Sequence, residues 1–383
     1  MAISDIQKGK GCCVIDPHGD IAESLLDHVP KERIQDVIYF NAFDTDHPIA
    51  FNPLHNIAPE HRHIVASNLI STFKKIWADS WGPRLEYILH QSLLTLLCYP
   101  NATLLDIQLL LTNKVFREEI LMYVTEPHLK MFWYSEYDKY PPTFRMEAIS
   151  PILNKTGVFI SNPILRNIVG QQGSIDMKDL VDSGNILLCN LSKGAIGEEI
   201  SSLLGSMILS SLQQSVIRRN NQPEEQRKPF YCYVDECHSF ITTAFVNVLA
   251  EARKYGLSLF LTHQYLDQLP EQIRSAIFGN VGTIISFQVG NEDAEQMAKE
   301  FHPVFKVSDF INLPKYSMYI KLAIDGVSSR GFSALSLPVA SIQQSYKQEI
   351  IAHSRALFVP DKVLVKSMPA PQKERTQQTL FDV

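Results

Sequence analysis

The stretch PFYCYVDECHSF (residues 229–240) joins an apolar strand to two adjacent carboxylates. Residues 230–234 are aromatic, β-branched or otherwise apolar, which is typical of a strand buried in a sheet. Asp235 and Glu236 follow directly. In nucleotide-hydrolysing α/β proteins such a pair forms a Walker B motif, in which the Asp holds Mg²⁺ and the Glu polarises the attacking water. An acidic start to the next helix explains the pair equally well, so both interpretations stay open on this motif alone.

Further apolar runs alternate with helical segments along the chain. Strands are predicted in GCCVIDPHGD (11–20) and at residues 36–41, 184–191, 230–235, 257–263 and 282–289. Helices are predicted at about 198–219, 243–254 and 264–278. This alternation is typical of a mainly parallel α/β sheet with helices on both faces. Two late runs, MYIKLAID (318–325) and FSALSL (332–337), predict an antiparallel pair at its edge.

A helical pattern interrupts the strands between about residues 56 and 167. LEYILHQSLLTLLCY (85–99), for example, carries apolar residues at helical spacing. We therefore expect an all-α domain inserted into the sheet domain. The predicted division is 1–55 and 168–345 for the two parts of the sheet domain, 56–167 for the insert, and 346–383 for a C-terminal extension with a polar tail.

Composition limits the classes of function. The 383 residues carry a formal net charge of −6 and a pI of about 6.1, so the chain as a whole lacks the basic footprint of nucleic-acid binding, although a motor can confine basic groups to a channel. The six cysteines form no CxxC pair, which argues against zinc and favours reduced thiols of an intracellular protein. No run reaches the roughly 18 apolar residues of a membrane span, and the start does not resemble a signal peptide. We expect a cytoplasmic protein.

A Walker B strand requires a phosphate-binding P-loop, G-x-x-x-x-G-K-[ST], whose backbone N–H groups and lysine hold the phosphates. The sequence contains no such loop. Lys10 and Lys193 are each followed by glycine rather than by Ser or Thr, and Lys155 follows asparagine rather than glycine. The nucleotide hypothesis therefore lacks one of its two parts within the 383 residues.

Five motifs together resemble those of a known family. They are VIDPHGD (14–20), NILLCNLSKGAIGEE (185–199), YVDECHSF (233–240), EARKYGLSLFLTHQY (251–265) and FGNVGTIISFQVG (278–290). In this order they resemble the HerA/FtsK-type hexameric motor ATPases, in particular the type IV secretion coupling and conjugative DNA-transfer branch of TraD/TraG type. The resemblance covers roughly residues 1–340.

The resemblance implies both a fold and a set of partners. The fold is a RecA-like, mainly parallel sheet of the P-loop NTPase class, without its first strand and P-loop and with an inserted all-α domain. The cofactors are ATP and Mg²⁺, the assembly is a homo-hexameric ring, and DNA is the cargo. Type IV secretion or DNA-processing proteins are implied partners. A membrane association through partners or a preceding region stays open.

The resemblance also implies roles for individual residues. Asp235 matches the Mg²⁺ ligand and Glu236 the catalytic carboxylate. Gln264 matches a sensor glutamine that orients water or contacts the γ-phosphate. Arg253 matches an arginine finger that reaches the nucleotide of a neighbouring subunit. From the residues alone, Arg253 is an exposed cation at a helix end and Gln264 an ordinary helix-start residue.

Two further residues are candidates for nucleotide binding. Asp16 lies at the carboxyl end of another predicted strand, although Asp-Pro and glycine are also turn chemistry. Lys193 follows a strand end, where it could face a phosphate or DNA, and a solvated loop lysine is an equal alternative. Both interpretations stay open for each residue.

The resemblance offers an explanation for the absent P-loop. In the family, the loop opens a helix that leads to the strand ending in IDPHGD, and MAISDIQKGKG (1–11) resembles the end of that helix. We therefore expect an ATP-driven DNA translocation or transfer subunit whose sequence starts just after the P-loop, and no ATPase activity from the 383 residues alone. The alternative is a catalytically inactive scaffold or regulatory module that supplies Arg253 to a complete motor subunit. An unrelated α/β enzyme has no GxSxG or similar motif to support it.

The C-terminal tail carries one more short motif. Gln377, Leu380 and Phe381 fit the peptide pattern that binds the bacterial sliding clamp, whereas Gln378 departs from it. A chance match is the favoured interpretation because five-residue matches are common. The sliding clamp is therefore only an additional partner hypothesis.

Overall fold

The computed structural model describes residues 1–324, 326–339, 341–342 and 344–358. Its strands are β1 Gly11–Asp16, β2 Val37–Asn41, β3 Ile186–Asn190, β4 Phe230–Val234, β5 Leu257–Leu261, β6 Ile284–Ser286, β7 Ser317–Lys321, β8 Ala323–Ile324, β9 Val327–Ser328 and β10 Phe332–Leu335. Its helices up to β3 are α1 Ala2–Gln7, α2 Asp20–Leu26, α3 Arg62–Ile76, α4 Pro83–Leu96, α5 Asp106–Thr112, α6 Lys114–Leu121, α7 Pro127–Met131, α8 Pro142–Ser161, α9 Pro163–Val169 and α10 Met177–Ser183. Those after β3 are α11 Lys193–Ile196, α12 Glu198–Ile217, α13 Val246–Glu251, α14 Glu271–Asn280, α15 Asn291–Glu300, α16 Val307–Ile311 and α17 Lys347–Leu357.

The main sheet is parallel throughout, with the strand order β2-β3-β1-β4-β5. Cys13 of β1 is paired with Leu187 of β3 on one side and with Cys232 of β4 on the other. Every residue of β1 and β3 is buried, as expected for central strands covered on both faces. The predicted α/β class with a mainly parallel sheet is confirmed.

Side chains of the main sheet alternate between two hydrophobic cores. Cys12 and Val14 of β1 pack with α1, α2 and α17 on one face. Cys13 and Ile15 join a larger core on the other face, which also contains Phe73 of α3 and many apolar side chains of α4 to α9 and α12. This larger core continues from the sheet into α3 to α9 without a break. The inserted helical region and the sheet therefore share one core.

A smaller sheet of order β10-β7-β6 lies apart from the main sheet. The predicted strand 282–289 was expected in the main sheet, but β6 covers only 284–286 and pairs antiparallel with β7. The two late strands do pair antiparallel, as β7 and β10, within this second sheet. Phe301 and Phe310, from the helical segments after β6, pack against it. These long-range contacts decide where β6 pairs.

The two edges of the main sheet differ. At the β2 edge, the Tyr39 N–H donates to the Ser354 hydroxyl at 3.0 Å, and that hydroxyl donates to the Val37 carbonyl at 3.1 Å. Helix α17 thereby covers this edge. At the opposite edge, β5 pairs with β4 and with no other strand of the described residues, and most of its side chains are only half-buried.

Helix α12 is the central helix of the larger core. Residues Glu198–Asn221 are long and apolar enough to cross a membrane, which the sequence analysis did not anticipate. However, 78% of that apolar window is buried inside the protein. Its composition is explained by packing between the sheet and α3.

The clamp-binding hypothesis falls on a part of the chain without structural description. Gln377, Leu380 and Phe381 lie outside the described residues. The hypothesis stays a prediction.

Candidate active site

The candidate site lies where β4 and β5 end, at the carboxyl edge of the main sheet. The Asp235 N–H donates to the Ile15 carbonyl at 3.0 Å, and the Cys237 N–H donates to the Thr262 carbonyl at 2.8 Å. Between these two anchors, Glu236 has a left-handed backbone with φ 46° and ψ 52°. That conformation costs a non-glycine residue about 1–2 kcal/mol. The contacts around the loop must therefore hold it in place.

Both carboxylates are held by side chains that follow β5. The Thr262 hydroxyl donates to Asp235 Oδ1 at 2.5 Å, and Gln264 Nε2 donates to Glu236 Oε1 at 2.7 Å. Asp235 is half-buried, whereas Glu236 is 8% exposed. The structure thus brings three of the predicted site residues together: Asp235, Glu236 and Gln264.

The second oxygen of Glu236 is left without a hydrogen bond. Oε2 is buried and has no hydrogen-bond partner among the described residues. The nearest cationic candidate is His238, whose Nδ1 lies 3.3 Å away and also lacks a hydrogen bond. Burial is the main cause that lowers the pKa of His238, although Glu236 opposes it. A carboxylate that is fixed on one oxygen and accepts no hydrogen bond on the other is suited to binding a water molecule.

Lys193 lies within the site. It is the first residue of α11, three residues after the end of β3, and its Nζ donates to the Ser239 hydroxyl at 2.9 Å. That hydroxyl lies 3.3 Å from His238 Nε2. Its predicted role toward nucleotide stays a prediction, but its position beside the Glu236 loop is now defined.

The Asp16 carboxylate accepts hydrogen bonds from backbone N–H groups. It is fully buried, and its two oxygens accept hydrogen bonds from the N–H groups of His18 at 2.8 Å and Ala22 at 2.9 Å. The side chain therefore shapes the turn into α2, as the turn-former alternative expected. A direct contact of Asp16 with nucleotide stays a prediction.

Arg253 lies at the other end of β5, on the side of the main sheet where the parallel strands begin. It is exposed within the 3-10 segment Ala252–Tyr255, which precedes β5, whereas Gln264 follows β5. A strand of this length separates its two ends by roughly 16 Å. Arg253 is therefore placed away from Glu236 of its own chain and faces outward, where a neighbouring molecule can meet it.

The sequence analysis missed two residues of the site, Thr262 and Lys75. Thr262 had a usable signal, since it is a polar residue at the carboxyl end of the strand next to β4. Lys75 had none, because it belongs to α3, about 160 positions from the loop. Its Nζ donates to the His238 carbonyl at 2.8 Å.

The surroundings of Lys75 make its charge unfavourable. Burial lowers its pKa from 10.5 to about 7; the Cys237 thiol opposes this shift and the Lys193 ammonium adds to it. Lys75 and Lys193 also contribute to lowering the pKa of His238. Protonation of Lys75 is therefore unfavourable in the folded chain near neutral pH.

We expect this lysine to make the chain more stable as the pH rises from 7 to 9. The folded pKa of Lys75 lies below the unfolded value of 10.5, so the unfolded chain binds more protons in this range and stability increases by at most about 1.4 kcal/mol per pH unit. Thermal unfolding midpoints at pH 7 and pH 9 test this. Lys75→Met should reduce the rise in the unfolding midpoint between pH 7 and pH 9. Lys74→Met, which changes the exposed neighbour, should retain that rise. An equal rise in all three chains would contradict the assignment.

The site fits Mg²⁺ bound together with a nucleotide. Among the described residues, no group of three or more His, Cys, Asp or Glu side chains could hold a metal ion. Mg²⁺ commonly takes one or two carboxylates and completes its shell with phosphates and water. Asp235 offers one such carboxylate, and the unpaired oxygen of Glu236 offers an acceptor for water. The arrangement can therefore support metal-assisted attack of water on a phosphate.

A family model matches one part of the chain. Residues 229–301 match the family model described as the TraM recognition site of TraD and TraG. Three of the five motifs on which the resemblance was based lie within or overlap this range. No curated protein matches the chain.

Solved structures match over most of the chain. The bacterial conjugative coupling protein TrwBdeltaN70, in an unbound form, is 14% identical over 90% of this chain and 82% of its own, with a TM-score of 0.63. Plasmid coupling protein TrwB in complex with ADP and Mg²⁺ is 15% identical over 90% and 83%, with a TM-score of 0.63. VirB4 of Thermoanaerobacter pseudethanolicus is 13% identical over 91% and 86%, with a TM-score of 0.56.

These matches confirm two predictions. Identities this low establish the fold, and the fold is the predicted RecA-like, P-loop NTPase class. The family model adds the link to TraD and TraG over residues 229–301. The predicted resemblance to conjugative coupling proteins of TraD/TraG type is therefore confirmed.

Proposed function

We propose that this chain is a subunit of an ATP-driven motor that transfers DNA, of the conjugative coupling-protein type. The observation that carries the proposal is the Glu236 carboxylate, buried and held on one oxygen by Gln264, while its other oxygen accepts no hydrogen bond from the described residues and lies 3.3 Å from His238 Nδ1. A carboxylate prepared in this way beside Asp235 is what hydrolysis of a nucleotide requires.

Each residue of the site has a distinct task in this proposal. Asp235 holds Mg²⁺, and the Thr262 hydroxyl fixes the direction of its carboxylate. Glu236 orients the attacking water through Oε2 and accepts its proton. Gln264 holds Oε1 and thereby fixes the direction of the carboxylate, and it would be placed to contact a γ-phosphate when ATP is bound. Mg²⁺ and ATP, when bound, supply the phosphate electrophile and neutralise its charge.

The proposal requires a P-loop, which the 383 residues do not contain. The open edge of β5 is adjacent to Gln264 and offers backbone groups to one more parallel strand. A strand there would place a following P-loop at the same carboxyl edge as Asp235 and Glu236. This strand comes either from upstream coding sequence or from a partner chain.

The position of Arg253 supports assembly into a ring. An arginine that stabilises the transition state must reach the phosphates, and Arg253 faces away from its own site. In a head-to-tail ring, the outward-facing residue of one subunit meets the site of the next. We propose a homo-hexamer that holds DNA through its phosphates.

Partners and location follow from the same proposal. TraD and TraG share a region described as a TraM recognition site, so we propose that DNA-processing or type IV secretion proteins dock on residues 229–301. The motor then works in the cytoplasm, held near the membrane by these partners or by a preceding segment.

A second candidate is an inactive scaffold or regulatory subunit. Two observations favour it: no P-loop occurs in the 383 residues, and Arg253 is exposed for use by another chain. Such a subunit would supply Arg253 to a complete motor subunit without turning over ATP itself.

We expect ATP hydrolysis to depend on an added P-loop. The purified 383-residue chain should show no Mg²⁺-dependent ATPase activity above background, because nothing in it forms the backbone cradle for the β- and γ-phosphates. The completed chain, in which a strand, a P-loop and a helix from upstream coding sequence precede Met1, should hydrolyse ATP. Phosphate release measures both chains. Hydrolysis by the 383 residues that Glu236→Gln removes would contradict the dependence on an added P-loop.

A further inference from the structure

We propose that Lys75 is a positioning residue through which helix α3 holds the Glu236 loop in the conformation that hydrolysis requires. The role rests on the proposed function, but the contact that carries it is independent of nucleotide. No sequence motif and no comparison points to Lys75.

The contact joins the inserted helical region to the backbone of the active-site loop. Lys75 lies in the last turn of α3, and its Nζ donates to the carbonyl of His238 at 2.8 Å. His238 lies two residues after Glu236, inside the 3-10 turn Cys237–Ser239. The lysine is half-buried, so water competes less for this bond than it would at an exposed side chain.

The loop needs such an anchor. Glu236 has the left-handed backbone, and the N–H groups of Ser239, Phe240 and Ile241 close the turn that follows it by donating to the carbonyls of Glu236 and Cys237. A donor that fixes the His238 carbonyl fixes the peptide plane between His238 and Ser239. The position of Glu236 Oε2, on which the water depends, thus follows from the position of α3.

A second contact ties the same end of α3 to helix α12. Trp77, directly after α3, donates from Nε1 to Glu199 Oε1 at 2.8 Å, near the start of α12. Its ring also packs against Phe73 and Phe159 of the helical core. The same end of α3 is therefore held at two points, the His238 carbonyl and α12. The helical region is mechanically coupled to the active-site loop at this point.

The charges around Lys75 show that packing alone does not explain why a lysine occupies this position. Lys193 lies close enough to oppose its positive charge, and burial opposes it further. An apolar side chain would avoid both costs. The ammonium retains one specific task here, which is the hydrogen bond to the His238 carbonyl.

Hydrogen–deuterium exchange of the 383-residue chain tests the proposal without ATP. Lys75→Met should speed exchange of the amides at 237–241 about tenfold, the usual effect of losing one hydrogen bond. Lys75→Arg, which keeps a cationic donor, should restore most of the protection. Lys74→Met is the matched control, since Lys74 is exposed and pairs with Glu86 within the helical region. It should leave the loop unchanged.

Two outcomes would overturn the proposal. One is unchanged exchange at 237–241 in Lys75→Met. The other is a loss of protection throughout α3 to α9, which would make Lys75 a general packing residue.

In the completed chain, Lys75→Met should lower kcat about tenfold and leave the KM for ATP unchanged. If the unaltered completed chain hydrolyses no ATP, the proposed function fails, while the exchange result still decides the role of Lys75 in the loop.

Discussion

Replacing Glu236 by glutamine in the completed chain should reduce ATP turnover about a hundredfold to ten-thousandfold, the range expected for loss of a general base. Glutamine retains the size of the side chain and can still bond Gln264, but it cannot accept a proton at the position of Oε2. Mg²⁺–ATP binding should persist because Asp235 and the P-loop are unchanged. Single-turnover hydrolysis and equilibrium nucleotide binding measure the two effects separately.

The control for this substitution lies a few residues upstream. Glu225 is an exposed carboxylate in the segment that leads into β4, and Glu225→Gln makes the same chemical change away from the site. Its turnover should equal that of the unaltered chain. A Glu236→Gln chain that turns over normally would show that another group positions the water.

Arg253→Ala should abolish turnover in the completed chain, with a loss of about a thousandfold or more, while nucleotide binding is spared. Arg253 lies at the amino edge of the sheet, so the loss should come from the site of a neighbouring subunit. Lys254→Ala is the matched control, because Lys254 is the adjacent exposed cation and lies over the Tyr255 ring. It should retain turnover.

Mixed rings separate action between subunits from action within one subunit. Arg253→Ala subunits keep Glu236, and Glu236→Gln subunits keep Arg253. Random mixing at equal amounts should restore about a quarter of the activity, since one interface in four pairs an intact base with an intact finger. No restoration in mixtures that still form rings would contradict the assignment of Arg253 as a finger between subunits.

Much of the fold could be predicted from local patterns. The strands of the main sheet are continuous apolar runs, and alternation with helices indicated that they run parallel. The partner of β6 could not be predicted in this way. An apolar run of three to eight residues fits either sheet, and the choice rests on β7 and on packing against Phe301 and Phe310.

The residues of the site likewise divide into those that the sequence could predict and those that it could not. Asp235, Glu236 and Gln264 follow adjacent strands, so the rule that parallel strands end at one edge brings them together. Whether Asp16 faced a ligand or its own turn depended on the direction of one side chain, which the sequence leaves open. Lys75 could not be found, because its contact with His238 depends on how α3 packs against the end of the sheet.

The central claim is that residues 1–383 belong to a DNA-transfer motor powered by ATP. Steady-state phosphate release by the completed chain, with and without DNA, tests it most directly. We expect Mg²⁺-dependent hydrolysis that DNA stimulates severalfold and that Glu236→Gln removes in both conditions. Absence of hydrolysis, or hydrolysis at the same rate with and without DNA, would contradict it.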